Sequence, residues 1–83
     1  MTTIKYYSTS WCGPCKIIKP IIQDILSKNP SVGSTFIDAE QDSVSAQSDG
    51  IRSVPTVIVY KNGLETNRFI GAQSRAVYEQ AIK

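Results

Sequence analysis

Both cysteines of the chain lie in one hexapeptide, Trp11-Cys12-Gly13-Pro14-Cys15-Lys16. Two thiols at this spacing can exchange with a disulfide or share a metal ion. Strand-forming residues, Ile4-Lys5-Tyr6-Tyr7, precede them, and a helical pattern begins at Ile17. The handover from strand to helix puts both sulfurs at a helix N-terminus. Unpaired backbone N–H groups and the positive end of the helix dipole converge there. That field favours thiolate over thiol and makes a sulfur nucleophilic. Cys12, in a solvent-facing turn, is the expected nucleophile, with an accessible sulfur. Cys15, one turn into the helix, is the expected resolving thiol, more buried and with a higher pKa. Cys15 must lose a proton to act. Tyr6 is no obvious base, and Asp38 is the candidate acceptor. Direct transfer to a departing thiolate or to water is the other route.

Metal binding is the weaker reading of the pair. A structural zinc takes four ligands, the pair supplies two, and the chain has no histidine to complete the set. Two chains sharing a metal or cluster would have to do so around Pro14. The absence of histidine also removes Cys–His hydrolysis and imidazole proton shuttling. A Cys12–Cys15 disulfide closes too small a loop to constrain the unfolded chain much, which favours redox exchange over stability as its purpose.

The elements that must position the pair can be read in order. Ile4–Ser8 is a strand, and Thr9 and Ser10 offer side-chain oxygens to the coming helix. That helix runs from about Cys12 to Lys28. Ile17, Ile18, Ile21, Ile22, Ile25 and Leu26 make its apolar face. Pro20 falls inside the pattern, which resumes in phase, so a kink is expected and not a break. Ser34–Asp38 is a second strand, parallel to the first across a right-handed crossover. Asp42–Asp49 is a weak polar helix with only Val44 and Ala46 to bury, capped by Asp42 and ended by Gly50. Val54–Tyr60 is the strongest strand. Asn62-Gly63 then signals a hairpin into a strand at Glu65–Ile70. Ser74 can cap a last helix ending near Ile82, with Val77, Ala81 and Ile82 facing the core. The order β-α-β-α-β-β-α implies one α/β domain over residues 1–83, a four-stranded mixed sheet with helices on both faces.

The totals agree with that picture. With 83 residues, one thin core is expected, buried to about 60–65% and stable by about 5–10 kcal/mol. The net charge of +2, with both signs interspersed, is not a nucleic-acid-binding pattern. Met1-Thr2-Thr3 leads straight into a strand, and no apolar run approaches the ~20 residues of a membrane span. A soluble cytoplasmic protein, acting as a monomer without membrane or nucleic-acid partners, is the expectation.

The sequence resembles the thioredoxin family in a short form. The hexapeptide Trp11 to Lys16 matches that family's active-site motif in full. Pro20 matches its helix kink, and Gly50-Ile51-Arg52-Ser53-Val54-Pro55-Thr56 the stretch with its cis-proline. Tyr60-Lys61-Asn62-Gly63 matches its hairpin, and Gly71-Ala72 the turn beside the active site. The resemblance implies a minimal thioredoxin fold and a reductase of protein disulfides. Its only redox group would be the Cys12–Cys15 disulfide, with no cofactor or metal. It also implies a Cys12 pKa near ~7, a value that belongs to thioredoxins as a family. Gly13, Pro14 and Lys16 would shape the active-site turn. Trp11, a cis Val54–Pro55 bond, Gly71 and Ile37 would form the substrate-docking groove. Disulfide-containing proteins would be the substrates, with a thioredoxin reductase or glutathione as the electron source. Two departures stand out. The strand and helix that precede the active-site strand in full-length thioredoxins are missing. Tyr6 and Ser34 stand where the family has an aspartate–lysine pair, and Ser8 stands where it has a tryptophan. Other readings are a glutathione-dependent glutaredoxin, which the length suits, and a non-catalytic binding subunit of a larger enzyme.

Overall fold

The computed structural model describes all residues, Met1–Lys83. Seven elements follow in the expected order: β1 (Thr2–Ser8), α1 (Gly13–Lys28), β2 (Gly33–Asp38), α2 (Ser43–Ser48), β3 (Thr56–Lys61), β4 (Leu64–Ile70) and α3 (Arg75–Ala81). The sheet order is β2-β1-β3-β4. β1 runs parallel to β2, while β3 is antiparallel to both β1 and β4. The β3–β4 hairpin turns through Asn62 and Gly63, both at positive φ, as a two-residue turn with matching twist requires.

Alternation along the strands divides the core. Ile4 and Tyr6 of β1, with Val57 and Val59 of β3, face α1 and α3 and pack against Ile18, Ile22, Ile25, Tyr78, Ala81 and Ile82. Tyr7 and Ile58 face the other way and meet Ala46 of α2. Helices therefore cover both faces. The cover is unequal, because α2 is a helix of only six residues. A polar network covers more of that face. Lys5 Nζ reaches Asp49 at 3.1 Å, Tyr7 donates its hydroxyl to the same carboxylate, and Arg68 donates to the Asp49 carbonyl.

Several side chains depart from the sequence reading. Ile17 is not core but 68% exposed. The buried set on α1 is Cys15, Ile18, Ile22 and Ile25, and Ile17 stands one residue, about 100°, off that line. Val44 is likewise exposed, because so short a helix turns one small side, Ala46, to the sheet. Val77 is only half-buried; Tyr78 is the fully buried residue of α3. Ser74 occupies the N-cap of α3, yet its side chain makes no capping bond. Asp42 does cap α2, accepting from the Ser45 N–H at 3.1 Å. Helix α1 runs through Pro20 unbroken.

Candidate active site: a disulfide at the head of α1

The cap of α1 is Cys12 itself, and not Thr9 or Ser10. Its backbone is extended, and its sulfur accepts the Cys15 N–H at 3.2 Å. The turn before it is closed by the Cys12 N–H donating to the Thr9 carbonyl at 3.3 Å. Thr9 is buried, and its hydroxyl has no partner. Cys12 and Cys15 are joined as a disulfide, with Cα atoms 5.3 Å apart. The expected accessible Cys12 sulfur is not seen in this oxidised form. The residue is 3% exposed, as is Cys15, because the sulfur folds inward over the helix end to meet its partner. Gly13, Pro14 and Lys16 are exposed around the ring. No acidic residue occupies the first turn of α1 to oppose a thiolate there.

Trp11 adjoins this ring in the chain, and the other expected docking residues lie on the cis-proline loop, the turn after β4 and β2. Trp11 is 69% exposed, its indole N–H held by the Glu40 carboxylate. The Val54–Pro55 bond is cis. Gly71, at φ +85°, donates its N–H to the Pro55 carbonyl at 2.8 Å, tying the turn after β4 to the cis-proline loop. Next along β4, Ile70 is exposed. Trp11 and Val54 also share a shallow cavity of about 310 Å³ with Ala39, Ala46 and Ile51. Ile37 is half-buried and packs with Val54 into the α2-side cluster.

A second cavity, of about 350 Å³, opens beside Cys15 and includes Tyr6, Ser8, Lys16, Lys19, Phe36, Ile37 and Asp38. It brings Asp38 to the same space as Cys15. One Asp38 oxygen is already engaged there, accepting from the Glu40 and Gln41 N–H groups at 2.9 and 3.1 Å. Tyr6, read from sequence as no base, is fully buried and donates its hydroxyl to the Cys15 carbonyl at 2.9 Å. Burial first, then the neighbouring Tyr78, pushes its pKa up to about 12. Sequence reasoning missed two partners, Glu40 beneath Trp11 and the Tyr6 contact. Neither follows from local pattern, since each bond joins separate elements.

The thioredoxin family model matches residues 1–83. The chain belongs to the thioredoxin family. Budding-yeast Thioredoxin-1 is 33% identical over 82 residues, spanning 99% of this chain and 78% of that protein. Mitochondrial Thioredoxin-2 of Schizosaccharomyces pombe is 30% identical over 77 residues. That match spans 93% of this chain and 57% of the relative. The crystal structure of thioredoxin NaTrxh from Nicotiana alata superposes with a TM-score of 0.88 at 32% identity. It covers 95% of this chain and 68% of that one. Thioredoxins are thiol–disulfide oxidoreductases that work through a redox-active disulfide, and Cys12–Cys15 is the pair that fills that place here. No group of three or more metal-ligating side chains is present, and no helix is long and apolar enough to cross a membrane.

Proposed function

We propose that this chain reduces protein disulfides as a thioredoxin-type electron carrier. The observation that supports it best is the Cys12–Cys15 disulfide at the N-terminus of α1, with the Cys15 N–H aimed at the Cys12 sulfur. In the reduced protein, the same N–H and the helix dipole stabilise a Cys12 thiolate. That thiolate attacks one sulfur of a substrate disulfide. The substrate S–S bond breaks, and its other sulfur leaves with the electron pair and takes up a proton. Cys15 then loses its proton and attacks the Cys12 sulfur. The substrate is released as a thiol, and the disulfide seen here forms. Trp11, Val54, Pro55, Gly71 and Ile37 would form the docking groove for an extended substrate segment, with exposed Ile70 next to Gly71 in the chain. The backbone of Val54 offers it strand-like pairing.

The cycle needs a reductant to reopen Cys12–Cys15, and a thioredoxin reductase is the partner the family favours. A cytoplasmic setting, which keeps such pairs reduced, suits the role. A monomer of 9.1 kDa suffices for it. The test is turnover of a disulfide-bonded protein under limiting dithiol. Wild type should turn over. Cys12→Ser should be inactive, and Cys15→Ser should accumulate a mixed disulfide. No acceleration by wild type would leave the binding-subunit reading in its place.

A further inference from the structure

Tyr6 links the sheet to the resolving cysteine. Its ring lies in the core with Ile18 and Ile22 of α1 and meets Phe36 of β2 with ring centroids 5.2 Å apart. Its hydroxyl ends on the carbonyl of Cys15, 2.9 Å away, in a buried bond. Strand β1, paired on both sides within the sheet, thus holds the peptide that carries the second sulfur. We propose that Tyr6 is a positioning residue for disulfide closure, its hydroxyl holding Cys15 where its sulfur can reach Cys12. This rests on the dithiol cycle above.

The physical reason lies in the mixed-disulfide intermediate. There the Cys12–Cys15 cross-link is open, and Cys12 is bonded to substrate. The first turn of α1 is then tied down weakly. Gly13 and Pro14 are exposed, and helix ends fray. An intramolecular attack is fast in proportion to the motion already frozen out of its reactants. The Tyr6 bond freezes the Cys15 peptide when the cross-link cannot. Closure balances without a contribution from the phenol. The Cys15 thiol proton leaves, a Cys15–Cys12 bond forms, the Cys12–substrate bond breaks, and the substrate sulfur departs with the electron pair. The phenol does not take that proton. Buried and neutral throughout the working range, it remains a donor.

The probe is 5,5′-dithiobis(2-nitrobenzoate) mixed with reduced protein in a stopped-flow instrument. Attack by Cys12 releases one coloured thiolate, and closure by Cys15 releases a second. Tyr6→Phe keeps the ring and removes only the hydroxyl. The first phase should stay within about twofold of wild type, and the second should slow about fivefold, the scale of one hydrogen bond. The equilibrium constant for disulfide formation should fall by the same factor, making the variant about 20 mV less reducing. A purely structural role would lower the urea midpoint and leave the ratio of phases and the potential unchanged. That result would overturn the proposal. A second measurement needs no variant. In reduced wild-type protein the Tyr6 hydroxyl proton should give a slowly exchanging NMR resonance, and exchange too fast to observe would overturn the tether. If wild type releases no second thiolate, the dithiol cycle itself fails, whatever the variant does.

Discussion

At the scale of single residues, the site is built from backbone N–H groups as much as from side chains. The Cys15 N–H faces the Cys12 sulfur, the Gly71 N–H holds the Pro55 carbonyl, and two N–H groups converge on Asp38. The Cys15 and Asp38 bonds lie at the cavity beside Cys15, and the Gly71 bond ties two loops together. Asp38 closes the turn after β2 that leads to Glu40, and Glu40 in turn holds Trp11. Asp38→Ala should therefore cost about 1 kcal/mol, the scale of a lost side-chain cap on exposed N–H groups. Urea unfolding measures this. A loss under about 0.5 kcal/mol would show that water replaces the carboxylate at no cost. The same variant should blur the position of Trp11, read as a shift in indole fluorescence.

Among the elements, α1 carries the most weight, since its N-terminus carries the disulfide and its buried face fills the larger core. Its burial is one-sided. Ile22 is 1% exposed and Ile17 68%. Ile22→Ala removes buried methylenes and leaves a cavity, at about 2–5 kcal/mol. Ile17→Ala removes surface and should stay within about 0.5 kcal/mol. Equal losses would mean that α1 is rotated from the orientation described. The shorter α2 contributes one buried alanine, so its face relies on its neighbours. Those neighbours are half-buried apolar side chains such as Ile37, Ile51 and Val54, and an ionic network.

Across the whole molecule, the Asp49 network spans the weakly covered face of the sheet. It joins β1 through Lys5 and Tyr7 to β4 through Arg68, which Glu65 pairs at 2.8 Å. The Tyr7 hydroxyl, then Lys5, hold the Asp49 carboxyl below its ordinary value near 3.8. The same contact holds Lys5 above 10.5. The signs differ at the two ends. Asp49 contributes stability that is present above its unfolded value and is lost as pH falls through the folded one. Lys5 contributes stability that is present below its unfolded value and is lost as pH rises through the folded one. Between pH 7 and 3, wild type should lose more stability than Asp49→Asn, by at most about 1 kcal/mol, the linkage limit at pH 3 for a carboxyl whose unfolded value is near 3.8. Urea midpoints at the two pH values decide it, and equal losses would mean that the network is solvated. Asp24, lowered by Arg75 and Lys28, acts in the same direction, so the variant's acid limb should flatten only in part. In a domain of 83 residues such an increment moves Tm by about 4–8 °C per kcal/mol.

The chain alone determined the chemistry and the order of elements. Two cysteines at one strand-to-helix junction, Asn62-Gly63 between strand-like runs and a helical isoleucine repeat are local signals, each written within a few residues. Helix and strand periods then settle which elements form, because hydrogen bonds within a helix and alternation along a strand depend only on near neighbours. Tertiary structure decided which residues of each period lie inside. Ile17 and Val44 fit their patterns yet remain outside, since burial depends on where a neighbouring surface stops. It also decided the contacts that cross between elements: Trp11 with Glu40, Tyr6 with Cys15, and Asp49 with Lys5, Tyr7 and Arg68. Their partners are brought together only when sheet and helices dock. No spacing in the sequence encodes that docking, because the distance between two side chains on different elements is set by packing and not by the chain between them.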